Sequence, residues 1–306
     1  MLTIPSTITA IDVHTHPQTE EFLAAMGPRR AQMGRHFGRE RAVVSFAEMA
    51  DRYRANNMMA VIVNSDDETQ SGRTGAPNRL LGEAMANHPD VFLAFCGIDP
   101  WKGKAALDEV RRCHGDYGVL GVGELNPARQ QFHPNDRRFY PLWELCAELG
   151  LVVMFHCGFL GAGAGTPGGM GYHLEYARPV PYLDDVAADF PELRIIAAHP
   201  GWPWHLENLA ACWHKKNYYI DLSGWSPKYL PTEVVHYANS IVPSRVLFGS
   251  DWPVLEPERW LREFAELDLK PESRENILLR NACELLGLQP AGTRAVGGPA
   301  DPGGPE

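Results

Sequence analysis

The stretch AIDVHTHPQT, residues 10–19, decides the fold because it opens an alternation of strands and helices that runs along most of the chain. Its apolar residues lead to His14 and His16, and Pro17 follows directly. Side chains at positions i and i+2 of a strand point the same way, so both imidazoles project together from a strand end. This pattern indicates either half of a metal site or a chance pair of histidines, and the later segments of the chain distinguish the two.

Seven further apolar runs follow the first, and each of the eight precedes a helical pattern. They are near-continuous stretches of Val, Ile, Leu and Phe, which is typical of parallel strands covered on both faces. Strand–helix alternation repeated eight times predicts an α/β fold, a (β/α)8 TIM barrel, whose usual size is about 250 residues. A doubly wound open sheet is the alternative, but no GxGxxG follows the first run. The predicted strands are residues 8–13, 58–64, 91–98, 119–125, 151–156, 193–199, 218–222 and 246–249.

Start and stop signals for helices lie between these runs. Ser45 and Glu48 form a capping-box pattern, and Gly150 ends a helix just before the fifth strand. Residues 158–171 hold seven glycines and are predicted to form a mobile loop that covers the site. Residues 1–288 are predicted to form one domain, and the Pro/Gly-rich residues 289–306 a disordered tail.

Composition narrows the class of protein. The formal net charge of −10 disfavours nucleic acid as the partner, since phosphate binding needs clustered Lys and Arg. No apolar run reaches the length of about 18 residues that a membrane span needs, and the first residues lack a signal-peptide pattern. The six cysteines are scattered without a CxxC pair, which is typical of reduced thiols. These features together predict a cytoplasmic protein that acts on a small molecule.

Side chains able to bind a metal stand at the carboxyl ends of five predicted strands, where the active site of such a barrel is built. A single HxH pair or a lone histidine is weak evidence, but all of these signals fall at the same end of the barrel. In strand order, the residues are His14, His16, Glu124, His156, His199 and Asp251.

Neutral imidazoles together with a carboxylate suit a divalent transition metal such as Zn²⁺. We expect His14, His16, His156 and Asp251 to surround one such cation and to leave one position open for water, which then ionises near neutral pH. Asp251 is predicted to accept that proton and return it to a leaving group. His199 is predicted to polarise a carbonyl or stabilise an oxyanion.

Four other residues near the predicted mouth of the barrel are candidate substrate contacts: Arg129, His173, Trp202 and Trp252. An arginine there suits a carboxylate or a phosphate, and the tryptophans suit an aromatic pocket. The alternative for each of them is an ordinary surface or packing role.

These motifs resemble the amidohydrolase superfamily, and within it the amidohydrolase-related, aminocarboxymuconate-semialdehyde decarboxylase-like branch of metal-dependent hydrolases. The matching segments are IDVHTH, FHCG, AAHPGWPW, YIDLSGWSPKY and LFGSDWP, within residues 10–288. The resemblance implies a (β/α)8 barrel with one divalent metal, usually zinc, on His14, His16, His156 and Asp251. It also implies that His199 is the catalytic histidine, and that the chain is a homodimer, as members often are.

One segment departs from that branch. The fourth strand ends in GELNP, with Glu124 where a lysine is common. A glutamate there resembles the TatD-like deoxyribonucleases, in which the matching carboxylate bridges two metals. Glu124 is therefore a candidate ligand of a second metal, a hydrogen-bonding group of the pocket, or an orienting partner of a ligand histidine.

Three functions fit this sequence. The first is a zinc-dependent hydrolase that directs a metal-activated water at a carbonyl-containing small molecule, such as an ester, lactone, thioester or β-keto compound. The second is a non-oxidative decarboxylase of a hydroxybenzoate-like or muconate-semialdehyde-like acid on the same ligands. The third is a binding protein that keeps the barrel without catalysis, since a fold alone does not assign a function.

Overall fold

Ten β-strands lie within residues 2–38 and 40–291, the part of the chain that this computed structural model describes. All eight predicted strands are present, with ends that differ from the prediction by two residues or fewer, and two short strands were not predicted. The strands are β1 (Leu2–Ile4), β2 (Ala10–Thr15), β3 (Met58–Val63), β4 (Phe92–Cys96), β5 (Gly121–Leu125), β6 (Val152–His156), β7 (Arg194–Ala198), β8 (Tyr218–Asp221), β9 (Val246–Leu247) and β10 (Leu288–Pro290).

Strands β2 to β9 form one parallel sheet in which each strand pairs with the next along the chain. The sheet is closed between its first and last members by backbone hydrogen bonds. Val13 N donates to Phe248 O at 2.9 Å, and Asp251 N donates to His14 O at 2.9 Å. The predicted (β/α)8 barrel is confirmed, and its closure brings the segment after β9 beside the end of β2.

Helices follow the barrel strands, as the alternation in the sequence predicts, and none in the described residues is long and apolar enough to cross a membrane. They are α1 (Glu20–Ala25), α2 (Pro28–His36), α3 (Phe46–Ala55), α4 (Glu68–Ser71), α5 (Arg79–Asn87), α6 (Lys104–Arg112), α7 (Pro127–Gln130), α8 (Tyr140–Glu148), α9 (Tyr182–Asp189), α10 (His205–His214), α11 (Thr232–Ala238), α12 (Pro257–Ala265), α13 (Pro271–Glu275) and α14 (Asn281–Leu286).

Local signals in the sequence are present as predicted. Ser45 Oγ accepts from Glu48 N at 3.2 Å, and Glu48 Oε2 accepts from Ser45 N at 2.8 Å, which completes the capping box at α3. Gly150 has a φ of +65°, a left-handed conformation that ends α8. Near the end of the barrel, α13 and α14 are joined by a π-helical segment at Asn276–Arg280.

Successive side chains of each strand point to opposite faces of the sheet, and the two faces form two separate apolar clusters. On β6, Val153 and Phe155 pack in the cluster between the sheet and the helices. Val152 and Met154 belong to the second cluster, which fills the barrel interior with apolar side chains of the other strands. His156 has the same parity as Met154, so the end of β6 directs its imidazole inward.

The two strands that the sequence did not predict pair with each other outside the barrel. Leu2 lies opposite Leu288 in a parallel register, and Pro290 ends the pair. Gln289 and Pro290 thus belong to a strand, although the predicted disordered tail begins at residue 289. Residues 292–306, which make up the remainder of that tail, lie outside the described residues.

The glycine-rich segment after β6 folds against α2. Gln32 Nε2 donates to Ala164 O at 2.9 Å and to Gly161 O at 3.3 Å, and Gly163 N donates to Gln32 Oε1 at 2.9 Å. The Gln32 side chain is buried. This segment and α2 together form one side of the barrel mouth, where the sequence predicts a cover for the site.

Candidate metal centre

The end of β2 and the turn after β9 bring three potential metal ligands together. His14 Nε2 lies 3.2 Å from His16 Nε2, and His16 Nε2 lies 3.0 Å from Asp251 Oδ1. His14 Nε2 lies 3.9 Å from the same oxygen. One cation can therefore contact two imidazoles and a carboxylate, as the HxH pattern and Asp251 predict.

The ends of β5, β6 and the segment after β7 form a second group beside the first. His156 Nδ1 lies 2.7 Å from Glu124 Oε1, and His199 Nε2 lies 3.1 Å from His156 Nδ1. His199 Nε2 is 3.7 Å from Glu124 Oε1. All three side chains are buried. Glu124 also lies within 4.8 Å of the ligand atoms of His14 and His16, so it joins the two groups.

Three of the imidazoles turn one nitrogen away from these groups, towards a fixed acceptor. A histidine that binds a metal commonly donates its other N–H to a carboxylate or a carbonyl, which selects the tautomer. The contacts are His14 Nδ1 to Asp221 Oδ2 (3.1 Å), His156 Nε2 to Phe159 O (3.2 Å) and His199 Nδ1 to Ser223 O (3.1 Å).

With these N–H groups directed outward, the lone pairs of the inner nitrogens face one another and the carboxylates of Glu124 and Asp251. Lone pairs at about 3 Å repel unless a proton or a cation lies between them. Burial lowers the pKa of both His16 and His156, against the opposing effect of their carboxylate partners, so the neutral form that binds a metal is favoured at these two rings. At His14 the carboxylate of Asp221 outweighs burial and raises the pKa to about 10, so a cation bound there would displace a proton. The arrangement suits a divalent cation held by buried imidazoles and carboxylates.

Asp221 organises this centre, although the sequence analysis did not assign it a role. Its Oδ2 accepts from His14 Nδ1, and its Oδ1 accepts from the backbone N of His199 and of Ser223, each at 2.9 Å. Burial alone would raise the pKa of Asp221, but the neighbouring His14 holds it at about 2. The signal in the sequence was a carboxylate at the end of the seventh barrel strand, within YIDLSGWSPKY.

Two residues of the centre have unusual backbone conformations. His199 has a φ of +70° and Asp251 a φ of +58°, in the left-handed region that residues other than glycine seldom adopt. Such conformations persist where surrounding contacts enforce them, and they cluster at functional sites. Here the hydrogen bonds from His199 N to Asp221 and from Asp251 N to His14 O supply those contacts.

Gly224 allows the imidazole of His199 to approach the turn after β8. A Cβ at this position would lie 2.9 Å from His199 Nδ1 and 3.3 Å from Asp251 Oδ2. Its φ of +72° also favours glycine. The segment therefore needs glycine both for its conformation and for the space beside the two side chains.

The metal centre opens into a cavity of about 460 Å³. Of the four predicted substrate contacts, Arg129 and Trp202 line this cavity. Trp252 does not, because its side chain is buried in the core between the sheet and the helices. His173 is exposed on the segment after β6 and packs towards Tyr176, outside the cavity lining. The structure thus places only two of the four at the site, since position near a strand end does not fix where a side chain points.

The chain belongs to the amidohydrolase family, whose profile matches residues 11–288. This span includes the eight barrel strands except the first residue of β2, together with every side chain of the metal centre. It confirms the superfamily that the sequence motifs indicate. The protein is thus an enzyme of the amidohydrolase superfamily with a cluster of metal-binding residues at the mouth of its barrel.

Two relatives of known activity are similar to parts of this chain. A 2-keto-4-carboxy-3-hexenedioate hydratase of a Sphingobium strain is 28% identical over 146 residues, which cover 42% of this chain and 41% of the hydratase. A 2-amino-3-carboxymuconate-6-semialdehyde decarboxylase of Dictyostelium discoideum is 22% identical over 245 residues, which cover 70% of this chain and 66% of the decarboxylase. The chain thus spans less than two thirds of the length of each relative.

Solved structures match the fold over most of the chain. An uncharacterised TIM-barrel protein of Bordetella bronchiseptica has a TM-score of 0.74 and 26% identity, covering 91% of this chain and 98% of its own. A probable 2-pyrone-4,6-dicarboxylic acid hydrolase of Acinetobacter baumannii has a TM-score of 0.63 and 17% identity, covering 92% and 100%. A dihydroxybenzoic acid decarboxylase of a Polaromonas strain, with bound manganese, has a TM-score of 0.62 and 18% identity, covering 92% and 97%.

Proposed function

We propose that the protein is a metal-dependent hydrolase that directs an activated water at a carbonyl-containing small molecule, such as an ester, lactone, thioester or β-keto compound. One observation carries this proposal: the metal-binding atoms of two side-chain groups converge beside a cavity of about 460 Å³, which residues of both groups line. A cavity of this size suits a small molecule.

The proposed cation is Zn²⁺, since a set rich in imidazole with one or two carboxylates suits this ion. The proposed ligands are His14, His16, His156 and Asp251. Manganese is the alternative, because a decarboxylase of similar fold holds it. A divalent cation bound here supplies Lewis acidity, which polarises a carbonyl and activates water near neutral pH.

Glu124 lies between the two groups and has two proposed roles. As a ligand, it would hold the cation together with His14 and His16, or share a second one with His156. As an orienting partner, it would accept from His156 Nδ1 at 2.7 Å, which requires the tautomer with its proton on Nδ1 and leaves only Nε2 of that ring to bind a metal. A count of two cations per chain would make Glu124 a ligand of the second one.

Asp251 and His199 are the proposed catalytic residues. Asp251 Oδ1 faces the ligand histidines, and its partly exposed side chain lines the cavity, so the carboxylate can accept a proton there. His199 lines the same cavity, with Nδ1 directed to Ser223. Its Nε2 can therefore polarise a substrate carbonyl or stabilise an oxyanion when the ring is protonated, a form favoured because the carboxylate of Glu124 outweighs burial and raises the pKa of His199.

Decarboxylation is the second candidate, and the similarity to decarboxylases favours it. The same cluster would then hold the carboxylate and hydroxyl of an aromatic or muconate-like acid. Asp251 would protonate the carbon from which CO₂ departs. Both reactions use the same side chains, so the geometry of the cluster is compatible with either.

The experiment is turnover of a substrate panel by the metal-loaded and the metal-stripped protein. The panel contains esters, lactones, thioesters, β-keto compounds, hydroxybenzoates and a muconate semialdehyde, in water enriched in ¹⁸O. We expect ¹⁸O in the product, no CO₂ and at least a hundredfold loss of rate after stripping, restored by zinc. Equal rates with and without metal would contradict the proposal, whereas CO₂ release without ¹⁸O would favour the decarboxylase.

A binding protein without catalysis is the remaining alternative. The variant His199→Ala separates it from an enzyme, because loss of a group that stabilises the transition state lowers kcat, typically by at least about tenfold. Binding without turnover, unchanged in this variant, would instead support the binding protein. The matched control is His173→Ala, which removes an exposed histidine outside the cavity.

A further inference from the structure

One wall of the cavity carries more positive than negative charge. Arg29 on α2, Asp67 after β3 and Arg129 on α7 all line the cavity into which the metal centre opens. Arg29 and Asp67 are buried, and both terminal nitrogens of the Arg29 guanidinium donate to the carboxylate oxygens of Asp67. The only carboxylate of this trio is thus already bound by one of its two arginines.

Arg129 has no comparable partner. Its Nε is buried and has no hydrogen-bond acceptor among residues 2–38 and 40–291. Its backbone N donates to Asn126 Oδ1 at 3.0 Å, which caps α7 and fixes the residue at the cavity wall. A buried donor without an acceptor is unfavourable unless a ligand supplies that acceptor.

The surroundings of Arg129 also leave its charge poorly compensated. Burial, and then the neighbouring charge of Arg29, lowers the pKa of Arg129, against the opposing charges of Asp67 and Glu124. Asp67 is bound by Arg29 and Glu124 contacts His156, so neither carboxylate forms an ion pair with Arg129 in the part of the chain that the structure describes. A guanidinium also binds a carboxylate through two parallel hydrogen bonds.

Apolar surface lies in the same cavity. Trp202 lies between Phe159 and Trp225, with ring centroids 6.0 and 6.1 Å apart, and all three side chains line the cavity. These aromatic side chains suit a flat or apolar body of a ligand. The cavity therefore combines a metal centre, an aromatic surface and an uncompensated guanidinium.

We propose that Arg129, supported by the charge of Arg29, binds a carboxylate of the substrate, in addition to the substrate group that reacts at the metal centre. The substrates are then small acids with a flat, apolar body. This inference rests on the proposed function, because it places the reacting group at the metal centre. Arg129 is a specificity-determining residue in this account, and the sequence had already indicated it as a candidate contact for a carboxylate or a phosphate.

Binding of paired probes to the zinc-loaded full chain tests this inference without turnover. The probes are benzene-1,2-, 1,3- and 1,4-dicarboxylate and hexanedioate, each compared with its monoamide by titration calorimetry. At least one diacid should bind tenfold or more tightly than its monoamide, because a charge-assisted bidentate contact replaces a neutral one.

Three variants locate the effect. In Arg129→Gln the preference for the diacid should fall below twofold, and in Arg129→Lys, which keeps the charge but loses the planar fork, it should fall at least threefold. Arg137→Gln is the matched control, because Arg137 is exposed, stacks over Tyr140 and does not line the cavity. Its preference for the diacid should equal that of the unchanged protein.

Two results would overturn the inference: no diacid preferred tenfold over its monoamide, or an undiminished preference in both Arg129 variants. Zinc content and melting temperature of each variant are measured alongside. Failure of the proposed function would give a different result: a protein that holds no metal, or turnover that is the same with and without metal. Equal binding of diacid and monoamide by a protein that retains zinc would therefore reject the carboxylate subsite alone.

Discussion

At the scale of single residues, the metal centre depends on the acceptors that hold each imidazole. Asp221 has the largest part, because it contacts the ring of His14 and the backbone N–H of His199. A carboxylate accepts at both oxygens, whereas an amide presents one oxygen and one NH₂ group. In Asp221→Asn the NH₂ group would therefore face either the N–H of His14 Nδ1 or the backbone N–H of His199, so two buried donors would meet.

We expect Asp221→Asn to weaken zinc binding by about 10- to 100-fold, the range typical for the loss of an orienting partner. The measurement is a zinc dissociation constant from competition with a chromophoric chelator. The matched control is Asp90→Asn, since Asp90 is an exposed carboxylate paired with Arg54 away from the centre. If both variants bound zinc as tightly as the unchanged protein, Asp221 would have no orienting role.

The candidate ligands could be predicted from the sequence because each one lies at the end of a barrel strand or in the segment that follows it. Asp221 also ends a strand, yet its role depends on a contact with His14, 207 positions away, that topology alone creates. Trp252 and His173, candidate substrate contacts in the sequence, do not line the cavity, because the direction of a side chain in a loop depends on local backbone conformation. Only the folded structure determines that direction.

At the scale of elements, the joint between the first and last barrel strands carries half of the metal centre. Asp12 on β2 ties this joint together: its carboxylate accepts from Ser250 N at 2.9 Å, Ser250 Oγ at 2.6 Å and Tyr53 Oη at 2.8 Å. It also accepts from His14 N at 3.2 Å. All these donors are buried and lose their acceptor together when the carboxylate is removed.

Asp12→Ala should lower the free energy of unfolding by about 3–5 kcal/mol, because several buried donors become unsatisfied. Tyr53→Phe removes one donor only and should cost about 1 kcal/mol. Urea unfolding followed by circular dichroism measures both. Equal effects of the two variants would show that the carboxylate network does not hold the joint.

The barrel strands were predictable as elements because buried parallel strands are long apolar runs. β1 and β10 were missed because three residues each give too short a pattern. The π-helical segment between α13 and α14 was missed because its apolar periodicity continues that of the neighbouring helices. Short strands and helix irregularities depend on tertiary contacts rather than on local pattern.

At the scale of the whole molecule, the proposed cation would connect strands that are distant in the chain. The ligand side chains lie on β2 and β6 or in the segments that follow β2 and β9, so binding favours the closed barrel over the unfolded chain. A ligand at about 100 times its dissociation constant adds about 2.7 kcal/mol of stability. Saturating zinc should therefore raise the melting temperature of the metal-stripped protein by about 5 °C or more.

Differential scanning fluorimetry measures this shift. Calcium is the matched control, because it prefers oxygen ligands to imidazole. A shift of the same size with calcium would indicate general cation binding to the acidic chain rather than occupation of the imidazole centre.

The most direct test of the central claim is the number of divalent cations that one chain binds. Elemental analysis of the zinc-loaded, dialysed protein should give about one zinc per chain. His14→Ala combined with His16→Ala should reduce this to less than a tenth, while His36→Ala, which changes a cavity residue outside the cluster, should leave it unchanged. No bound metal in the unchanged protein, or full metal content in the double variant, would contradict the claim that these imidazoles and carboxylates form a metal centre.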